Sequence, residues 1–298
     1  MTSFRDRADI PVTGGALATS RLGSERADAP VVLAIHGITS TSRSWLATAG
    51  ALGDVASLAA VDLRGRGASH RLPGPFGIAA HVRDMVAVLD ALGLGRAIVV
   101  GHSLGAYIAA ALAIAHPDRV AALVLVDGGL TIPLPPGTDP ERFLEAFLGP
   151  AIARLQITFP DREAYRAWWA AHPAFATGDV DRAALDEYAD YDLVGAPGQL
   201  HSSVNPEAVR QDGVDLFATA DARSLRTPAV LLCAPRGLQN EPNPMQPLEL
   251  VREWEAQAPE SRRGLQVSDV NHYTIAVGRR GAEAVAAEIA RSITPTAA

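Results

Sequence analysis

Five residues, Gly101-His102-Ser103-Leu104-Gly105, place a serine between two glycines where an apolar run meets a helix-forming one. Ala97-Ile98-Val99-Val100 precedes them with strand character, and Ala106 to Leu112 follows with the residues that favour helices. A turn that tight strains the serine backbone and leaves no space for large neighbours, which is why glycines stand two residues to either side. It holds a hydroxyl above the sheet at a helix N-terminus, where free N–H groups and the dipole favour a developing anion. Ser103 therefore reads as a nucleophile.

A serine hydroxyl needs a base to take its proton. The chain has 8 histidines, and His272, in Ser268-Asp269-Val270-Asn271-His272-Tyr273 just after the last predicted strand, is on a loop at the same sheet edge as the serine. His36 ends the first long strand and is expected to shape a turn. His102 adjoins the serine, and strand alternation directs it elsewhere. The turn His36-Gly37-Ile38-Thr39-Ser40 can aim one backbone N–H at a carbonyl oxygen, and Leu104 can supply a second.

These residues must be positioned by alternating elements. Strands are expected at 31–35, 57–61, 97–100, 121–126, 229–233 and 265–267, with helices at 44–52, 81–92, 106–112, 247–257 and 282–293. That pattern belongs to a largely parallel sheet covered on both faces. Between residues 128 and 225 the texture changes. Pro133, Pro135, Pro136 and Gly137 open a loop, and helical patterns follow at 140–155, 162–171, 181–190 and 206–217 without intervening strands. The expected organisation is an α/β core of residues 1–127 and 226–298 with a helical cap at 128–225, inserted after the sixth strand. Phe143, Phe147, Tyr165, Trp168, Trp169 and Phe175 give the cap an aromatic density that suits an apolar pocket. Its walls are expected to include Gly37, His102, Trp168, Trp169 and Tyr273.

Nucleophile, base, oxyanion turn and strand order together resemble the α/β-hydrolase family over essentially the whole chain. Asp62-Leu63-Arg64-Gly65-Arg66-Gly67-Ala68-Ser69 is similar to that family's loop after the fourth strand, and Asn271-His272-Tyr273 to its histidine loop. The resemblance implies Ser103 as nucleophile, His272 as base, Ile38 and Leu104 as oxyanion donors, and structural roles for Asp62 and Arg64. Family members usually carry the triad acid just after the seventh strand. Here that stretch reads Ala234-Pro235-Arg236-Gly237-Leu238-Gln239-Asn240-Glu241, with no aspartate. A second arrangement in the family places the acid directly after the sixth strand, where Asp127 stands; Glu241 is the alternative. An acid there orients the imidazole and stabilises its charged form.

The implied chemistry is hydrolysis of a carboxylic ester or lactone through an acyl-enzyme. The alternatives are a thioesterase, a C–C bond hydrolase, an acyltransferase or a cofactorless peroxidase on the same scaffold, and a non-catalytic ligand-binding relative. The expected substrate is a small apolar ester or lactone. No cofactor is implied, and no metal is expected because histidines and carboxylates do not fall at the spacing of a metal-binding helix. A net charge of −7 leaves no basic stripe for nucleic acid. Met1–Arg7 lacks the apolar stretch of a signal peptide, and the region around 97–115 is interrupted by Gly101, His102, Ser103 and Gly105, so no membrane span is expected. The single cysteine, Cys233, suits a reducing compartment, and a cytoplasmic monomer or homodimer follows as the expectation. All 26 basic residues are arginine, a composition suited to a GC-rich bacterial genome.

Overall fold

Apolar runs with a period of two build the centre of the molecule. In β3 (Val31–Ile35), Leu33 and Ile35 join one core cluster while Val32 and Ala34 join another. The same division separates Leu123 and Leu125 from Val124 and Val126 in β6 (Val120–Val126), and Leu231 from Val230 and Leu232 in β9 (Ala229–Cys233). Strands buried on both faces need no polar alternation, and successive side chains feed opposite layers. The computed structural model describes residues 5–131, 137–217 and 221–293.

The remaining strands of the main sheet are β1 (Arg5–Val12), β2 (Gly15–Gly23), β4 (Ser57–Val61), β5 (Ala97–His102) and β10 (Arg262–Gln266). The eight run in the order β1-β2-β4-β3-β5-β6-β9-β10; β2 is antiparallel to both its neighbours, and the others are parallel. Helices Ile78–Ala91, Leu104–Ala115 and Leu248–Ala256 cover one face, through residues such as Met85, Ile108 and Trp254. Helices Leu46–Leu52 and Arg279–Ile293 cover the other, through Ala49, Val285 and Ile289. This is the α/β-hydrolase arrangement expected from the sequence.

The hairpin β1–β2 is an addition to that expectation. Its mixed polar sequence, with Pro11 inside β1, hides the strand signal, yet Leu17 and Ile10 are buried against the core. Between β6 and β9 lie helices Pro140–Arg154, Arg162–Ala170, Arg182–Asp192 and Pro206–Asp215. A two-residue ribbon, β7 (Leu193–Val194) with β8 (His201–Ser202), interrupts the predicted all-helical run. Met1–Phe4 and the loop prolines 133, 135 and 136 lie outside the described residues, as do the side chains of Phe143 and Phe147. Among the described residues, no helix is long and apolar enough to cross a membrane.

Candidate active site

The C-terminal ends of β3, β5 and β6 lie side by side, because Ile35 pairs with Gly101 and His102 with Val126. Ser103 follows β5 with φ 53 and ψ −121, a left-handed conformation that non-glycine residues adopt only under constraint. Packing supplies the constraint. A Cβ on Gly101 would stand 2.2 Å from the Gly105 carbonyl oxygen, and one on Gly105 only 2.0 Å from that of Ile35. A Cβ on Gly128 would stand 2.5 Å from the Ser103 carbonyl oxygen. Strand, turn and helix thus touch backbone to backbone.

Asp127, the residue after β6, also has a positive φ of 47. Its N–H donates to the Leu232 carbonyl at 2.7 Å, and its Oδ1 accepts from Ala234 N–H at 3.0 Å. Its Oδ2 accepts from Nδ1 of His272 at 2.7 Å, with both side chains buried. An ionised carboxylate only accepts, so the proton sits on Nδ1 and the Nε2 lone pair is left available. The Glu241 carboxylate turns into its own loop instead, its Oε2 accepting from Gln239 N–H at 2.6 Å. Of the two candidate acids, Asp127 is the one hydrogen-bonded to His272.

The histidine loop is anchored on several sides. Asn271 Oδ1 accepts from the N–H groups of Tyr273 and Thr274, and its amide donates to the Ala174 carbonyl at 2.8 Å. His102 does not point away from this loop as strand alternation suggested. Its Nε2–H donates to the His272 carbonyl at 2.9 Å, and the two rings lie 4.8 Å apart. Gly37 makes this possible, since a Cβ there would come within 3.2 Å of His102 Nδ1. Burial pushes the His102 pKa well down, so the ring is neutral.

The turn after β3 is fixed by His36. Leu63 N–H donates to its Nε2 at 3.0 Å, which puts the ring proton on Nδ1, and that proton goes to the Gly37 carbonyl at 2.7 Å. Burial lowers the His36 pKa to about 4. Ser40 N–H adds a second bond to the Gly37 carbonyl. The N–H on the far side of that peptide plane belongs to Ile38. Among the described residues, neither this N–H nor that of Leu104 has an acceptor.

Gly37, Ile38, His102, Ser103, His272 and Tyr273 line one narrow cavity, with Thr39, Ser40 and Ser44 beside them. Leu148, Ala151 and Tyr188 from the helices after β6 close it, with Leu238 and Val277. Trp168 and Trp169, expected as pocket walls, are absent from that lining. Trp169 is buried one ring behind it, 5.3 Å from Tyr188 and 6.0 Å from Tyr273, and Trp168 stacks edge-on against Trp169. Their helix turns them toward the interior of the aromatic cluster that also holds Tyr165 and Phe175.

Asp62 and Arg64 have the structural positions their motif implied. Asp62 accepts from Ser42 N–H, Ala68 N–H and the Tyr191 hydroxyl, while Arg64 makes a two-pronged pair with Asp84 at 2.7 Å for each bond. Sequence reasoning expected His36 to shape this turn, without naming the peptide it holds, and gave no role to Asn271. An amide-bearing residue just ahead of a short helix, and a histidine–glycine pair at a strand end, were the available signals.

Comparison with known proteins agrees with this architecture. The α/β hydrolase fold family matches residues 30–277. Lipase LipV of Mycobacterium tuberculosis is 37% identical over 172 residues, which are 56% of this chain and 58% of LipV. RutD of Caulobacter segnis, named as a carbamate hydrolase, is 42% identical over 100 residues, 33% of this chain and 38% of its own. The chain thus spans well under two thirds of either relative. Among solved structures, E-2-(acetamidomethylene)succinate hydrolase superposes with a TM-score of 0.73 at 22% identity, covering 98% of this chain and 99% of that one. A thioesterase domain from the curacin biosynthetic pathway gives 0.72 at 20% identity, with 98% and 99% covered. With strand order, strained serine turn and whole-domain match in agreement, the chain belongs to the α/β hydrolase fold family.

Proposed function

We propose that the protein is a serine hydrolase that cleaves a carboxylic ester or lactone through an acyl-enzyme. The observation that carries this reading is a left-handed Ser103 sharing one cavity with a His272 whose Nδ1 is bonded to buried Asp127. In the first half-reaction, Ser103 Oγ bonds to the substrate carbonyl carbon while its proton passes to His272 Nε2. The oxyanion faces the N–H groups of Ile38 and Leu104. Collapse breaks the bond to the leaving alkoxide, which takes the proton from His272. Water then repeats the sequence on the acyl group, releasing the acid and restoring the serine hydroxyl.

Residues 128–225 act as a cap in this reading, because Leu148, Ala151 and Tyr188 close the cavity over Ser103. Burial keeps the Tyr188 and Tyr273 phenols protonated, so the described wall offers hydroxyls and apolar groups that suit an uncharged acyl chain. A carbamate is the second reading, favoured by the likeness to RutD; its carbonyl would be attacked in the same way. Purified protein assayed against matched p-nitrophenyl acetate, p-nitrophenyl N-methylcarbamate, a thioester and γ-butyrolactone tests the choice. Ester or lactone turnover dominating in kcat/KM is the expected result. Carbamate turnover exceeding it would reassign the substrate, and turnover of none would count against the enzyme.

A further inference from the structure

Two buried arginines outside the cavity converge on the turn after β3. Arg154 ends the helix Pro140–Arg154 and is 1% exposed. Its Nη1 donates to Asp192 Oδ2 at 2.6 Å and Ser202 Oγ at 3.1 Å, and also meets the Tyr165 hydroxyl. Its Nη2 reaches across to the core and donates to the main-chain carbonyl of Thr39 at 2.9 Å. The guanidinium lies over Trp169, 4.9 Å from the ring centre. Arg66, on the loop after β4, donates through Nε to the Ile38 carbonyl at 3.1 Å and pairs through Nη2 with Asp212 of the cap at 2.6 Å.

The carbonyls of Gly37, Ile38 and Thr39 are therefore held in succession, the first by His36 and the next two by arginines. Peptide units are planar, so the Ile38 N–H shares its plane with the Gly37 carbonyl, which His36 and the Ser40 N–H hold, and the Ser40 N–H shares its own plane with the Thr39 carbonyl that Arg154 holds. Both arginine ties end in the cap: Arg154 belongs to it, and Arg66 is paired with its Asp212. A guanidinium suits this bridge because its rigid fork satisfies a carboxylate with one arm and a carbonyl with the other, which an ammonium cannot span.

We propose that Arg154 is a positioning residue that couples the docked cap to the oxyanion turn: by holding the Thr39–Ser40 peptide it secures the second bond on the Gly37 carbonyl, and with it the aim of the Ile38 N–H, when the cap is seated. The inference rests on the reading of Ile38 as an oxyanion donor. It makes cap docking part of transition-state stabilisation as well as of substrate enclosure.

The test compares Arg154→Lys, which keeps a cation beside Asp192 but loses the fork, with Ser202→Ala, which removes an Nη1 partner and leaves the Thr39 bond intact. Steady-state rates on p-nitrophenyl acetate and the affinity of a trifluoromethyl ketone, which forms a serine adduct with an oxyanion, are measured for both. Arg154→Lys is expected to lower kcat about 10- to 100-fold and to weaken the ketone in parallel, with KM within about 3-fold of wild type. Ser202→Ala is expected to lower the melting temperature and leave kcat within about 2-fold. Unchanged kcat in Arg154→Lys, or an equal loss in Ser202→Ala, overturns the proposal. Should Arg154→Lys not fold, Asp192→Asn weakens the ion pair that seats Arg154 and is expected to lower kcat about 3- to 10-fold; wild-type kcat there overturns it equally. Fluorophosphonate labelling of Ser103 in wild type separates the two claims. A labelled wild type with an indifferent Arg154→Lys leaves the hydrolase standing and removes only the coupling, whereas an unlabelled wild type removes both.

Discussion

The sheet edge and the proposed cap hold their polar residues by different means. At the sheet edge, Ser103 and Asp127 sit in left-handed backbone conformations forced by strand ends and by glycines packed against main-chain atoms. In the cap, Asp192 and Asp212 are fixed by buried arginines and hydroxyls brought together from distant parts of the chain. Backbone sterics tolerate almost no substitution, while a buried ion pair is held only as long as every partner stays in place. The edge is thus a rigid template, and the cap is a conditional one.

The sharpest way to probe the edge is through its acid. Asp127→Asn retains the shape but reverses the hydrogen-bond preference that places the proton on His272 Nδ1, and is expected to lower kcat by on the order of 10³- to 10⁴-fold. Glu241→Gln is expected to stay within about 3-fold, since that carboxylate only closes its own turn. The reverse order in steady-state rates would move the acid to Glu241. Gly105→Ala is next: its methyl would overlap the Ile35 carbonyl, a main-chain atom that cannot move aside. Loss of at least about 3 kcal/mol in urea unfolding is expected, and a loss below 1 kcal/mol would contradict the rigid template.

Acid probes the polar anchors without mutation. His36 is neutral in the folded protein, with a pKa of about 4 against an ordinary 6.5. Above pH 6.5 both states are neutral and the stability is fully present. Between 6.5 and 4 the unfolded chain takes up a proton that the folded chain refuses, so stability falls as pH falls. One such group costs about 2 kcal/mol by pH 5, and His172, lowered to about 4 by burial, acts in the same direction. Urea midpoints measured at pH 7 and pH 5 check this, and equal midpoints would mean that His36 is protonated in place.

The same contrast explains what was legible in the sequence. The serine turn and the histidine loop depend on residues close together in the chain or at strand ends, so motif and periodicity point to them, whereas an acid after β6 was pointed to only by the resemblance to the family. The parallel strands read clearly because their runs are apolar throughout. The hairpin β1–β2 did not, since its alternation is mixed with charge and Pro11. Trp168 and Trp169 looked like pocket walls because a sequence shows aromatic density without direction; the ring that reaches the cavity from the cap is Tyr188. Arg154, Asp192 and Asp212 carry no local signature at all. Their partners Thr39, Tyr165, Ser202 and Arg66 are many residues away, and only tertiary packing shows that they meet.

The central claim is that Ser103 is an activated nucleophile. Intact-mass analysis after brief exposure to a fluorophosphonate, followed by peptide mapping, addresses it directly. The account predicts one adduct per chain, on Ser103, that disappears in Ser103→Ala and slows sharply in Asp127→Asn. An unmodified wild-type chain, or an adduct that persists in Ser103→Ala, would contradict it.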